Sequence, residues 1–327
     1  MSAENRKDEV FIKITLALPF VVRLNDGEYI CKMNKNSFGI KLTFVNSVMG
    51  DQNKNDASFA HQSSTGQLTE AKNVSIPGAH LQYSLVDIMF TRRVDFSSPE
   101  AQQNCIEESI EKAYIFLNRF VDVYRLISCD TNVVPLTRAD FYGTRANQSL
   151  HFWANCPSIG KLAMGSHFGK QGISAAPNPL GDELQNKIID FLKSGEQPQI
   201  IDLLLLNAKS YIEKGDYRLA VIELGSALDI NVEQVAKRLL NIHKEYDIKN
   251  SDSIDKMTTK KIIENIISKT VPTKINDSSE WLAVDNKFRE LRNTVIHDAY
   301  VPSLVEAEDA MNIIRTFCDL LRDLKSN

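Results

Sequence analysis

The spacing of apolar positions changes near residue 175 of this chain of 327 residues. Upstream of that point, short runs rich in Val, Ile, Phe and Thr predict β-strands at 9–17, 29–31, 39–45, 81–90, 133–136 and 150–154. Asn25-Asp26-Gly27 predicts a hairpin-type turn between the first two strands. The polar segment 50–73 has few large apolar side chains and is expected to be a loop.

One strong helix interrupts these strands. Ser98 is expected to cap it, Pro99 suits its first turn, and Glu100 favours the positive end of the helix dipole. Its apolar positions recur at spacings of four and three, which predicts one buried stripe: Ile106, Ile110, Ala113, Leu117, Phe120, Tyr124 and Ile127. The first part of the chain is therefore expected to be an α+β domain, 1–175, and its pattern identifies no particular fold.

The second part of the chain has helical periodicity almost throughout. Gly and Pro collect at 169–181, which predicts a linker, and helices are expected at 182–193, 200–214, 216–242, 258–269, 280–298 and 303–324. Short connectors between long amphipathic helices indicate an all-α antiparallel helix bundle. We expect this second domain to span 176–327.

Charge and composition narrow the functional classes. The chain has 38 basic and 42 acidic residues, so neither domain is expected to bind nucleic acid indiscriminately, and any contact with RNA would be local. No apolar run approaches the roughly 20 residues of a membrane span, and the polar N-terminus resembles no secretion signal. A cytoplasmic location without membrane contact is expected. The five scattered cysteines and the carboxylates show no metal-ligand spacing, so no metal and no cofactor are expected.

The richest chemistry lies in the helix 281–298. Arg292 carries a guanidinium that can bind phosphate through two hydrogen bonds, and His297 can transfer a proton near neutral pH. At 3.6 residues per turn, the two side chains point about 140° apart, whereas Asn293 and His297 share one face. One helix therefore aims Arg292 and His297 only partly together, and a second chain would have to complete a site.

An earlier helix supplies carboxylates for this region. Glu223 and Asp229 interrupt an apolar stretch in which the small Gly225 permits close helix contact, and both acids are expected to hold Arg292 or lysines in place. A basic cluster either receives the RNA backbone or forms a solvated helix face: Lys256, Lys260 and Lys261. A purely structural interpretation also stays open, in which Arg292 pairs with an acid such as Glu290 or Glu223 and His297 caps its helix.

These two helices together resemble the HEPN domains (higher eukaryotes and prokaryotes nucleotide-binding), in particular the bacterial defence-associated branch. Arg292, Asn293 and His297 match the family's Arg-Asn motif with a four-residue gap before the histidine. The segment 223–229 is similar to the family's alanine-rich "E…ALE" segment, with Asp229 in place of the last Glu. The resemblance covers about 195–325 and includes no part of the first domain.

The resemblance implies a metal-independent endoribonuclease that is a homodimer through its helical domain and leaves 2′,3′-cyclic phosphate ends. In that activity His297 transfers a proton, Arg292 stabilises the phosphorane, and Asn293 orients the imidazole or binds phosphate. The expected partner is RNA, with tRNA as one candidate. The expected role is that of a toxin or abortive-infection effector against phage. The first domain would sense a phage-derived trigger or restrain the nuclease. The alternative is a non-catalytic HEPN interaction or nucleotide-binding module in a regulator.

Overall fold

The computed structural model describes most of two compact units, 1–197 and 198–327. The described residues are 8–18, 20, 22–25, 27–32, 40–49, 60–62, 68–70, 81–94, 98–138, 150–156, 160–165, 180–242, 254, 256–271 and 274–324. The predicted linker 169–181 lies outside them except for its last two residues, as does most of the predicted loop 50–73.

The first unit contains a six-stranded antiparallel sheet with the order β2-β3-β6-β1-β7-β8. Its strands are β1 (Asp8–Ala17), β2 (Gly27–Cys31), β3 (Ile40–Met49), β6 (Leu81–Val94), β7 (Leu150–Cys156) and β8 (Gly160–Gly165). Two short strands, β4 (Ala60–Gln62) and β5 (Leu68–Glu70), form a separate antiparallel pair. Both of these strands lie within the expected loop at 50–73, and neither was predicted.

Strand β1 shows why this sheet forms a core. Its side chains alternate between the two faces of the sheet, and Val10, Ile12, Ile14 and Leu16 are buried. Strand β1 pairs with β6 and β7, whereas β2 pairs with β3. The predicted hairpin between the first two strands is therefore wrong, because a local turn signal does not specify a distant pairing partner.

Helix α1 (Pro99–Ser128) covers this core. Ser98 accepts a hydrogen bond from the backbone N–H of Ala101, so the predicted cap is confirmed. The predicted stripe is buried along most of its length, with Ile127 half-buried at its end. The predicted strand at 133–136 is instead irregular backbone, in which the Leu136 backbone is held by hydrogen bonds to the Asn118 side chain.

The next helix, α2 (Asp182–Ser194), belongs to the first unit. It contacts α1 and β2, and Ile188 and Leu192 join the core of the first unit. The boundary between the units at 197/198 therefore differs from the predicted boundary at 175/176. The helical periodicity that begins at 182 identifies a helix but not the unit to which the helix belongs. This helix buries its apolar face in the core of the first unit.

The second unit is helical over its described residues. Helices α3 (Ile200–Glu213) and α4 (Tyr217–Ile242) are regular. Helix α5 comprises Thr259–Ile262, the π-helical segment Ile263–Ile267 and Ser268–Thr270, and a 3₁₀ turn follows at Ile275–Asp277. Helix α6 comprises Ser279–Ala283, the π-helical segment Val284–Phe288 and Arg289–His297, and α7 spans Leu304–Arg322. An α+β unit followed by a helical unit agrees with the predicted layout.

Helix α4 is central to this unit and contacts α3, α5, α6 and α7. The buried residues Val221, Leu224 and Leu228 place its apolar stripe in one core with Trp281, Phe288 and Phe317. Helix α7 starts at a capping box, in which Ser303 and Glu306 each bond the other's backbone. No helix among the described residues combines the length and apolar character needed to cross a bilayer.

Candidate functional site

Arg292 lies in the regular α-helical part of α6 and reaches across to α4. Its Nη2 donates a hydrogen bond of 2.9 Å to Oδ2 of Asp229, and the two side chains are 30% and 40% exposed. The bond is charge-assisted and only partly shielded from solvent. It therefore contributes more to fixing the position of the guanidinium than to the free energy of folding. Asp229 is the one of the two predicted carboxylates that the structure joins to Arg292.

Gly225, one turn before Asp229, accommodates the same arginine. A Cβ atom at position 225 would lie 2.8 Å from Cδ and 2.9 Å from Cζ of Arg292, and closer still to Nε. Real Cβ contacts of this length are essentially never seen. The Arg292 side chain therefore occupies the space that any other residue type at position 225 would need.

Asp229 also bonds a third helix. Its Oδ1 accepts a hydrogen bond from Oγ1 of Thr259, the first residue of α5, while Oδ2 accepts from Arg292 on α6. One carboxylate thus joins α4, α5 and α6 at a single point. A carboxylate that accepts bonds on both oxygens has little freedom to rotate, so Arg292 is paired with a fixed partner.

The nitrogen atoms of Arg292 have different surroundings. Nε is buried and has no hydrogen-bond partner in the described part of the chain, and Nη2 is bonded to Asp229. Nη1 makes no hydrogen bond to a described residue and is not among the buried unsatisfied atoms. The guanidinium therefore has its inner edge against α4 and keeps Nη1 available to an anion.

His297 and Asn293 lie on a different side of α6. His297 is the last residue of the helix, and both side chains are exposed. The helix ends because Ala299 has a positive φ of 54°, after which the backbone N–H of Tyr300 bonds the carbonyl of Thr294. Asn293 and His297 are one turn apart on a regular helix, so they share a face as predicted, and Arg292 faces α4 instead.

Glu223 has a partner other than Arg292. Burial raises the pKa of its carboxyl, and a hydrogen bond from Asn207 on α3 partly opposes that shift. Among the described residues, Arg292 bonds to Asp229 and not to Glu223. The structure therefore places Glu223 at the contact between α3 and α4, outside the expected group around Arg292.

The predicted lysine cluster is divided. Lys260 forms ion pairs with Asp285 at 2.8 Å and with Glu264 at 4.0 Å, whereas Lys256 and Lys261 are exposed. Asp285 also pairs with Arg289, which lies one turn before Arg292, and hydrogen bonding from Lys260 is the main reason that its pKa is lowered. Lys260 is therefore engaged with carboxylates.

No protein-family model, curated protein sequence or solved structure matches this chain.

An open cleft of about 450 Å³ lies between α6 and α7, and its lining does not include Arg292. Its floor includes Phe288, Leu291 and Ala310, and Glu290, Glu306 and Asp309 supply carboxylates against the single cation Lys287. Glu306 also accepts hydrogen bonds from Tyr300. Three carboxylates against one lysine make this cleft acidic, so it would repel an anion.

Two contributors to the site were not predicted in their observed roles. Thr259 was absent from the predicted set, and Gly225 was expected only to allow close helix contact. The available signal was spacing: Gly225 precedes Asp229 by four residues, so an arginine that bonds the acid must pass over the glycine. The described residues contain no group of three or more His, Cys, Asp or Glu side chains arranged to hold a metal ion.

Proposed function

We propose that this protein is a metal-independent endoribonuclease of the HEPN type, active as a homodimer through its helical unit. Its role would be that of a toxin or abortive-infection effector in bacterial defence against phage. The α+β unit would sense a trigger or restrain the nuclease. One observation carries the proposal: Asp229 holds the guanidinium of Arg292 while Nη1 remains available. Arg292 lies on the same helix as His297.

The proposed reaction is transesterification followed by release of an RNA fragment. The ribose 2′-oxygen attacks the adjacent phosphorus, the bond from phosphorus to the 5′-oxygen breaks, and a 2′,3′-cyclic phosphate results. One proton leaves the 2′-hydroxyl and one is delivered to the departing 5′-oxygen. An arginine that donates N–H groups to the phosphorane oxygens stabilises the negative charge that grows there.

His297 supplies the proton transfers in this scheme, with Asn293 next to it on the same face. In one chain Arg292 faces α4 and His297 faces elsewhere, so a second chain is needed to bring an imidazole to the phosphate that Arg292 binds. The dimer is therefore part of the proposed chemistry.

Cleavage of total RNA and of tRNA by the purified full-length protein tests the proposal. We expect fragments with 2′,3′-cyclic phosphate ends in the presence of EDTA, and Arg292→Ala or His297→Ala should reduce the rate at least about 10²-fold. Arg315→Ala, an exposed arginine on α7, is the matched control and should cleave normally. Normal cleavage by either site variant would sink the catalytic assignment.

A second function is favoured by the same ion pair. If Arg292 and Asp229 serve only to join α4 and α6, the chain is a non-catalytic interaction or nucleotide-binding module in a regulator. The acidic cleft between α6 and α7 agrees with such a role, since no RNA need bind there. Titration with labelled RNA and with ATP separates the two functions. A module of this kind would bind nucleotide or protein and leave RNA intact under every condition tested.

A further inference from the structure

We infer that Gly225 is a positioning residue, and that Gly225, Asp229 and Thr259 together form a preformed seat for the guanidinium of Arg292. The seat determines which edge of Arg292 meets a phosphoryl group. Its catalytic consequence rests on the proposed ribonuclease function, whereas its structural consequence can be tested without any activity.

The space above Gly225 carries the first part of the inference. The three atoms nearest to a Cβ built at position 225 all belong to Arg292, and each lies within 2.9 Å of it. The backbone of α4 at Gly225 is helical and φ is not positive, so no conformational reason requires glycine there. Glycine in a helix interior is less favourable than alanine. The space for Arg292 offsets that cost.

Hydrogen bonding carries the second part. Asp229 fixes Nη2 of Arg292 from the neighbouring turn of α4, and Thr259 fixes Asp229 from the start of α5. With Nε buried next to Gly225 and Nη2 bonded to Asp229, the side chain cannot turn its Nε edge outward. A phosphoryl oxygen can therefore approach only at Nη1 and at the remaining hydrogen of Nη2.

A seat of this kind avoids a cost that a mobile arginine would carry. Ordering a free arginine side chain costs conformational entropy. Because Asp229 and Gly225 already restrict Arg292 before substrate binds, the transition state need not bear the whole of that cost. Gly225 thus contributes to catalysis while touching neither substrate nor reacting atoms.

The stability of four full-length proteins tests the seat: wild type, Gly225→Ala, Arg292→Ala and the double variant. In the wild-type background the added methyl group must displace Arg292. That displacement offsets the gain in helix propensity, so we expect Tm to rise less than in the Arg292→Ala background, or to fall. In the Arg292→Ala background the space is empty, and the gain in helix propensity should raise Tm by about 2 °C. A shift of the same sign and size in both backgrounds would overturn the inference.

Cleavage kinetics supply the functional readout. Gly225→Ala should lower kcat about 10²-fold with KM close to the wild-type value, and adding it to Arg292→Ala should cause no further loss. Ser226→Ala, whose hydroxyl bonds the carbonyl of Ile222 on its own helix, is the matched control. Wild-type kcat in Gly225→Ala would overturn the catalytic part. If the wild type cleaves no RNA, the proposed function fails, and the difference between the two Tm shifts alone decides the seat.

Discussion

Arg292 and Asp229 lie 63 residues apart in the chain, and a hydrogen bond of 2.9 Å joins Nη2 of the arginine to Oδ2 of the aspartate. That one contact combines the two sequence segments that resemble HEPN domains. It also reveals a property that neither segment shows alone, which is that the arginine is fixed before any ligand binds.

Replacing Asp229 by Asn removes the charge and keeps the shape. The amide no longer offers two equivalent acceptors, so Arg292 and Thr259 compete for one oxygen and the arginine loses its fixed position. We expect the single-turnover rate of RNA cleavage to fall about 10²-fold. Glu223→Gln, at the contact with α3, is the control and should retain nearly full activity. A faster Asp229→Asn enzyme would mean instead that the carboxylate restrains Arg292.

Mixing two inactive variants tests whether the site uses two chains. Arg292→Ala protein still carries His297, and His297→Ala protein still carries Arg292. If the residues meet across a dimer, subunit exchange between the two proteins creates one complete site in each mixed dimer. We expect cleavage to reappear in the mixture, at up to about half the wild-type rate per mixed dimer because one of its two sites is intact. No recovery, with exchange verified by mass spectrometry, would contradict a site shared between chains.

Ala299, just after the end of α6, has an unfavourable left-handed backbone conformation with a φ of 54°. A left-handed conformation costs a residue with a Cβ roughly 1 kcal/mol, and glycine avoids that cost. Ala299→Gly should therefore raise the free energy of unfolding by about 0.5 kcal/mol, as measured by denaturant titration. Ala283→Gly is the matched control, since Ala283 has helical φ and ψ of −65° and −40° and should lose about 1 kcal/mol. Destabilisation of similar size in both variants would contradict this account.

Asp122 on α1 predicts a pH dependence for the first unit. Burial raises the pKa of its carboxyl to about 6, and Arg125, whose Nη1 lies 3.9 Å from Asp122 Oδ1, opposes that shift without cancelling it. The folded state thus holds a proton that the unfolded state releases near pH 4, so stability falls as pH rises from about 4 to about 6.

Asp122→Asn should abolish this decline. The variant should be more stable than the wild type by roughly 2 to 3 kcal/mol at pH 7.5 and nearly equal to it at pH 4. Denaturant titrations at the two pH values measure the difference. Asp190→Asn, at an exposed carboxylate on α2, is the control and should show no such change between the two pH values. An Asp122→Asn advantage that is equal at both pH values would exclude titration of Asp122 as its cause.

Local sequence signals predicted helices closely and strand pairing poorly. Helix α7 was predicted at 303–324 and spans Leu304–Arg322, because Ser303 and Glu306 form a cap entirely from neighbouring residues. The turn at 25–27 gave no information on pairing, since the partners of β1 are strands more than 60 residues away in the chain. Pairing depends on how whole faces of the sheet are buried, and a short window of sequence does not contain that information.

The site, like the fold, was predicted only in part. Sequence spacing alone gave the shared face of Asn293 and His297, and regular helix geometry in the structure agrees with it. The counter-ion of Arg292 could not be chosen from sequence, because Glu290, Glu223 and Asp229 are chemically similar. Glu290 lines the acidic cleft and Glu223 bonds Asn207, so only the packing of α6 on α4 selects Asp229.

Because of the π-helical segment Val284–Phe288, the directions of the side chains that follow depend on the number of residues in α6. A single π turn amounts to one residue inserted into an α-helix, and one residue corresponds to about 100° of rotation. The direction in which each side chain from Arg289 to His297 points therefore depends on this insertion. The residues before it are held separately by the buried Trp281. Removing one exposed residue, Asn286, would leave the motif intact in the sequence and swing Arg292 by about a quarter-turn, away from Gly225.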